Sequence, residues 1–170
     1  MNIIYKKAKV WYLEIRNPQK QEVSKVDLKI EKQFPVALKY YKEVYKKVGE
    51  PWDWSNRLVM DEKKLRILLD DSKNEIYYAY FEGKLAGYFE LDTHHDDMEL
   101  VYFGLTPPFI GKGLGKAMMQ QILEIVNRRE ATRLWLHTCE IDSPQALKFY
   151  QKSGFKIYDE KIENQTIIEY

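Results

Sequence analysis

The chain has 170 residues, with 27 Lys and Arg against 26 Asp and Glu, a formal net charge of +1 and a single cysteine. That balance excludes a strong global field for nucleic acid or an anionic membrane, and one cysteine excludes an intramolecular disulfide framework. Hydrophobic residues at 45% and charged residues at 31% fit one globular domain, residues 1–170, rather than a disordered chain.

The first residues, Met1-Asn2-Ile3-Ile4-Tyr5-Lys6-Lys7, lack the continuous apolar stretch of a signal peptide, and no run is long enough to span a bilayer. Cytoplasmic localisation is therefore expected. Ala8 to Ile15 is β-rich and alternating, and Asn17-Pro18 turns the chain. Over Pro35–Val48, Ala37, Tyr41, Val44 and Val48 fall at helical spacing, with Gly49 as a stop. Glu50 to Arg57 reads as a loop. A short helix starts from Asp61 as N-cap, with Leu65, Leu68 and Leu69 on one face.

Glu75–Phe81 and Leu85–Leu91 flank the hairpin signal Glu82-Gly83-Lys84, and Met98–Leu105 is a third strand. From Gly113, the residues Leu114, Met118, Ile122, Ile125 and Val126 share a helical face. Leu134–Thr138 reads as a strand. Ser143 caps a helix begun by Pro144 and closed by Gly154. Phe155–Tyr158 and Thr166–Glu169 read as two late strands joined by a polar turn near Glu163-Asn164. The expected order is βααβββαβαββ, a mixed α/β (α+β) sandwich with helices on both faces of one sheet.

Between a strand and an amphipathic helix lies Thr106-Pro107-Pro108-Phe109-Ile110-Gly111-Lys112-Gly113-Leu114-Gly115-Lys116. Helix N-termini carry unpaired N–H groups and positive partial charge, and glycines admit an anion to the backbone. A P-loop needs Gly four residues before Gly115-Lys116 and Ser or Thr after it, where Ile110 and Ala117 stand. A dinucleotide fingerprint from Gly111 needs Gly or Ala at the position of Lys116. Both nucleotide readings fail on spacing; a glycine-rich loop that only turns the chain remains open.

The strand Glu99-Leu100-Val101-Tyr102-Phe103-Gly104-Leu105, this turn and its helix, and Ser143-Pro144-Gln145-Ala146-Leu147-Lys148-Phe149-Tyr150-Gln151-Lys152-Ser153-Gly154-Phe155 together resemble the core motifs of the GNAT N-acetyltransferase superfamily. The resemblance covers roughly residues 75–160. It implies an acetyl-CoA-binding core there, with acceptor-side helices and loop over about 35–71. It also implies that the preceding strand splays from the following one and that pantetheine fills the gap. The backbones of Phe103 and Leu105 would then pair with it, beside Gly104, and the Leu105 region would polarise the thioester carbonyl. The amides from Gly111 through Lys112, Gly113, Leu114 and Gly115 to Lys116 would bind the pyrophosphate. Where the family usually has Arg or Gln ahead of the Gly-x-Gly pair, this chain has Ile110; where it often has Asn, this chain has Ser143.

The implied reaction moves an acetyl group from acetyl-CoA to a primary amine, without a metal. It needs a base for the ammonium, a stabilised oxyanion and a proton for the thiolate. By resemblance Glu99 is the candidate base, against the alternative of a solvated strand-end charge; Glu90, Asp92, His94 and His95 are further candidates. Alternation groups Glu99 with Val101 and Phe103. The cluster His94-His95-Asp96-Asp97 reads as a charged loop rather than a metal site. Tyr150, by resemblance beside the coenzyme sulfur, is the candidate acid. Cys139 reads as a packed small hydrophobe.

For the acceptor, Trp52, Asp53, Trp54 and Arg57 offer either the wall of an amine cleft or a loop anchored by its indoles. A small-molecule amine is the expected partner, with no nucleic acid or membrane, in a monomer or homodimer. The alternative is a catalytically idle acetyl-CoA-binding or sensing module on the same fold.

Overall fold

The computed structural model describes residues 1–22 and 24–170. Seven strands form one sheet: β1 (Asn2–Arg16), β2 (Leu28–Gln33), β3 (Asn74–Phe81), β4 (Lys84–Asp92), β5 (Asp97–Leu105), β6 (Arg133–Cys139) and β7 (Lys156–Glu169), in the order β2-β3-β4-β5-β6-β1-β7. Every neighbouring pair is antiparallel except β5 with β6. A parallel pair needs a crossover, and α4 (Leu114–Arg128) supplies it.

Each face of the sheet is covered, because each helix carries one apolar stripe that must be buried. On one face, α1 (Leu38–Gly49) buries Tyr41, Val44, Tyr45 and Val48, spaced three and four residues apart. The short α2 (Asn56–Val59) follows, then α3 (Glu62–Asp70), which buries Leu65 and Leu69. Asp61 caps α3 by accepting from the Lys64 amide at 3.1 Å. These side chains meet Ile76, Tyr78 and Tyr88 of the sheet. On the other face, α4 buries Leu114, Met118, Ile122 and Val126 against Leu13, Phe89, Leu100, Leu134 and Leu136, and Tyr150 of α5 (Ala146–Lys152) joins this cluster. Each fully buried side chain of this kind contributes roughly 1.5–3 kcal/mol. Among the described residues no helix is long and apolar enough to cross a membrane.

The mixed α/β sheet with helices on both faces is the architecture expected from the sequence; four local readings differ. β2 pairs with β3 from Leu28↔Phe81 to Gln33↔Ile76, where no strand was expected. The expected loop through Arg57 contains the turn of α2. The two late strands and their turn are one strand, β7, because β1 pairs along it from Asn2↔Glu169 to Glu14↔Lys156. Finally, Ser143-Pro144-Gln145 forms a turn, and α5 starts only at Ala146, whose amide bonds to the Ser143 carbonyl at 2.9 Å.

Candidate active site

β5 and β6 run side by side for three rungs only, Asp97↔Arg133, Met98↔Leu134 and Glu99↔Trp135. Beyond Glu99 the strands separate, which leaves backbone polar groups of one β5 edge without a ladder partner. Just past the split β5 carries a bulge: Leu91 faces Leu100 and Glu90 faces Tyr102, so Val101 is the extra residue. The bulge changes the alternation. Leu100 and Phe103 both pack with the α4-side core, while Tyr102 packs with the α1 side. Phe103 therefore lies on the opposite face from Glu99, contrary to the simple alternation expected from the sequence.

Two cavities open at the split. The first is lined by Phe103, Gly104, Leu105, Ile110, Gly115, Ser143, Ala146, Phe149 and Tyr150, among others. It runs from the glycine turn along β5, and Phe103 stacks on Phe149 with centroids 5.4 Å apart. In the turn between Ile110 and Gly115, which both line it, Gly111 and Gly113 have φ of +81° and +75°, and a Cβ on either would meet nothing within 4 Å. Side chains are excluded there by backbone conformation, while the space above stays open. Gly113 is the N-cap of α4 and no side chain caps the helix, so its first amides are free to meet an anion. Gly111, Lys112, Gly113 and Lys116 are exposed and do not line the cleft, whereas the Leu114 side chain is buried in the core. Gly104 serves packing: a Cβ there would lie 2.4 Å from Val48 Cγ1.

The second cavity is lined by Tyr45, Trp52, Asp53, Trp54, Tyr102, Phe103, His137, Cys139, Asp142, Tyr150 and Thr166, among others. Trp52, Trp54, Phe103, Asp142 and Tyr150 belong to both cavities, so the two meet at these residues. Burial, with the Asp142 carboxylate nearby, pushes the Tyr150 hydroxyl well above its usual range. It is a neutral donor at any physiological pH. Asp142 accepts from Thr138 Oγ1 at 3.0 Å and from the Ser143 amide at 2.9 Å, and Trp54 shares its cavity wall. Burial raises its carboxyl above the ordinary range, opposed by these donors.

The acceptor-side loop is held at its middle by two adjacent residues. Trp54 donates its amide to the Gly49 carbonyl at 3.1 Å, and the Ser55 hydroxyl donates to the Thr166 carbonyl of β7. Trp54 and Tyr45 each lie 5.0 Å from the Tyr102 ring. Arg57 lines an adjoining open groove with Asp61, Lys64 and Tyr102. Its guanidinium, offered by the sequence to an acceptor carboxylate, is taken by Glu90 at 3.1 Å and lies over the Tyr102 ring at 5.3 Å. Glu90 also accepts from Tyr41 at 2.5 Å and Tyr88 at 3.1 Å. This engagement and burial separate Glu90 from the cavity.

Glu99 is mostly buried on the α1 face. Burial, then Asp92 and Glu90, push its carboxyl up to about 7, with Arg57 opposing. It does not line the second cavity; His137 does, and its Nε2 is 3.8 Å from Glu99 Oε1. Asp92 is engaged by His94 Nδ1 at 2.6 Å, and His94 Nε2 is 2.8 Å from Asp71. These two hydrogen-bonded carboxylates raise the His94 pKa. His95 is exposed. Cys139 is half-buried on the cavity wall, its thiol pushed up by burial.

A model of the Acetyltransferase (GNAT) family matches residues 21–155. The chain belongs to the GNAT acetyltransferase family. An uncharacterised N-acetyltransferase of Mycobacterium tuberculosis is 34% identical over 90 residues, 52% of this chain and 57% of that protein. The chain thus spans a little over half the length of that relative. The spermine/spermidine N(1)-acetyltransferase of Bacillus subtilis is 27% identical over 108 residues, 56% of this chain and 70% of its own. Among solved structures, a GCN5-related N-acetyltransferase from Sphaerobacter thermophilus superposes with a TM-score of 0.65 at 16% identity, covering 95% of this chain and 53% of that one. The PaiA N-acetyltransferase of Thermoplasma acidophilum, solved with coenzyme A, gives 0.59 at 21% identity over 79% of this chain and 99% of its own.

GNAT enzymes take their acetyl group from acetyl-CoA. The residues present fit that donor: an uncapped helix end for phosphates, then a narrow, mostly apolar cleft beside an unpaired strand edge. Of the residues the GNAT resemblance singled out, Phe103, Gly104, Leu105, Ile110, Gly115, Ser143 and Tyr150 line one cleft. Trp52, Asp53 and Trp54 line the second, while Arg57 faces the groove beside it. Sequence reasoning missed His137, Thr138 and Thr166. A signal existed for His137: in Leu134-Trp135-Leu136-His137-Thr138 the apolar residues at 134 and 136 set the core face and leave 137 on the other. Thr166 had none, because its role depends on the long-range pairing of β7 with β1.

Proposed function

We propose that this GNAT chain acetylates a primary amine of a small, cationic molecule by direct transfer from acetyl-CoA. What carries the reading is the meeting of two cavities at Tyr150 and Phe103, one beginning at the glycine turn and the other walled by Trp52 and Trp54. A donor thioester in the first and an amine in the second would face each other across that junction. Among the described residues the second cavity has two carboxylates, Asp53 and Asp142, six aromatic rings and no Lys or Arg. Such a lining favours an ammonium and disfavours an acceptor that carries its own carboxylate. The bacterial polyamine acetyltransferase among its relatives acts on molecules of that class.

Acetyl-CoA, when bound, supplies the acyl carbon and a thiolate leaving group. The chain's residues supply the rest. The amides of Gly111 to Lys116, with Lys112 and Lys116 nearby, hold the phosphates. The free β5 edge past Glu99 fixes the pantetheine arm, and amides near Leu105 stabilise the oxygen that gains charge as nitrogen attacks. A free ammonium has a pKa near ~10.4 and is no nucleophile, so a proton must first leave it. Glu99, with a carboxyl near 7, is matched to receive that proton at neutral pH. As the C–S bond breaks, Tyr150 gives its hydroxyl proton to the sulfur and recovers one from solvent.

A panel of amines scored for thiol release from acetyl-CoA tests this reading. Diamines and polyamines should turn over, and free amino acids should be poor acceptors. Tight acetyl-CoA binding with no thiol release from any amine would instead support a non-catalytic sensor.

A further inference from the structure

We propose that His137, on the wall of the acceptor cavity, takes the proton from the acceptor ammonium and passes it to Glu99 behind it. The proposal rests on the acetyl-transfer reading and assigns the contact with the acceptor to a residue that reading does not use. The geometry begins at the strand split. Glu99 and Trp135 form the last rung between β5 and β6, and His137 is the next residue of β6 on the same face. It is thus the first side chain on that face of β6 beyond the point where the strands part. Leu134, Leu136 and Thr138 point the opposite way and are buried.

The His137 side chain is 46% exposed and lines the cavity, whereas Glu99 is 19% exposed and does not. A base that never reaches the cavity cannot touch the amine. The imidazole stands between the two with Nε2 turned to Glu99 at 3.8 Å, a gap that one small side-chain adjustment or one water closes.

The groups around the ring suit a conduit. Tyr12 packs against it with centroids 5.5 Å apart and donates its own hydroxyl to Glu163 at 2.6 Å. Trp135 lies 6.5 Å away along the strand. Glu99, Glu163 and Asp142 are the acidic groups that face it, and no Lys or Arg lines the same cavity among the described residues. Burial holds the imidazole below its usual range, opposed by Glu163 and Asp142, so it is neutral and able to accept near pH 7.

The proton balance is simple. The ammonium N–H gives its proton to Nδ1 of His137 while the Nε2 proton moves to Glu99. The products are a neutral amine, the other neutral tautomer of His137 and a protonated Glu99, with no net change of charge. Attack then forms the C–N bond; as the C–S bond breaks, the surplus proton on nitrogen passes to water, Tyr150 protonates the sulfur, and Glu99 returns its proton to solvent after turnover.

His137→Gln, Glu99→Gln and the double variant test this in two ways. In the rate arm, His137→Gln should lower amine-dependent kcat roughly 100-fold at neutral pH with the acetyl-CoA KM unchanged. The loss should shrink as pH approaches the amine's own pKa. The double variant should be no slower than the slower single one, because both act on one proton. In the titration arm, the His137 ring nitrogens, followed by nitrogen-15 NMR, should show a step near pH 7 as Glu99 ionises and draws the ring proton to Nε2, and Glu99→Gln should abolish that step. An unchanged pH profile in His137→Gln, multiplicative losses in the double variant, or a His137 titration indifferent to Glu99→Gln would each overturn the relay alone. A wild type that binds acetyl-CoA yet releases no thiol with any amine would overturn the acetyl-transfer reading and the relay with it.

Discussion

Arg57 Nη2 lies 3.1 Å from Glu90 Oε2, with the two side chains only 12% and 3% exposed. The pair ties the acceptor-side loop to the middle of β4, and Tyr41 and Tyr88 complete the carboxylate's hydrogen bonds. The Glu90 carboxylate raises the Arg57 pKa against the opposing effect of burial, so the guanidinium stays charged and needs its partner. Removing one member leaves the other buried and unpaired, which costs about 3–5 kcal/mol. Glu90→Ala should therefore lower stability by that order in a urea melt. Replacing both residues by apolar ones of similar size should recover much of the loss. Equal losses in the single and double variants would show that the ion pair is not what holds the loop.

Glu99 has the opposite linkage to an ordinary salt-bridged acid. Its carboxyl titrates near 7 in the folded chain and near 4.5 when unfolded, so the folded state binds the proton more tightly. Its contribution is fully present below about 4.5, falls as pH rises, and is lost above about 7. Wild-type stability should thus fall relative to Glu99→Gln between those values, by an amount on the order of 3 kcal/mol. The difference should be flat on either side. Parallel stability curves for the two proteins across that window would mean that Glu99 is not desolvated.

Tyr150→Phe separates chemistry from folding. Among the described residues none hydrogen-bonds its hydroxyl, while its ring packs 6.1 Å from Phe103 and 6.0 Å from Phe155. The variant should keep its stability within about 0.5 kcal/mol and its acetyl-CoA affinity, and lose roughly 10²- to 10⁴-fold in kcat. Full activity across pH would remove Tyr150 as the acid.

Gly113→Val tests the phosphate turn. A β-branched residue at φ +75° costs roughly 1–2 kcal/mol in backbone strain and disturbs the first amides of α4. The acetyl-CoA dissociation constant should rise about tenfold or more, with the α4-side core intact by near-ultraviolet circular dichroism. Unchanged binding would put the phosphates elsewhere.

Much of this architecture was legible because it is encoded locally. The α1 stripe, the Asp61 cap and the Glu82-Gly83 hairpin each follow from a few adjacent side chains. What escaped is set by distant partners. Leu28–Gln33 is short and half charged, and becomes a strand because β3 offers it an edge. The polar stretch Asp159–Gln165 resembles a turn, yet β1 pairs along it. The bulge at Val101 leaves no mark in the sequence, and it alone moves Phe103 to the face opposite Glu99. At the site, the glycine turn and Tyr150 were visible as motifs; the occupation of Arg57 by Glu90 was not, because β4 and α2 meet only in the fold.

The most direct test follows the acetyl group itself. Acetyl-CoA isotopically labelled in the acetyl carbons is incubated with the protein and a simple aliphatic diamine, and products are read by mass spectrometry alongside free thiol. Labelled N-acetyl amine and thiol should form in equal amounts, both at a rate lowered by roughly 10²- to 10⁴-fold in Tyr150→Phe. Thiol without acetylated amine, or neither product while acetyl-CoA stays bound, would contradict direct transfer.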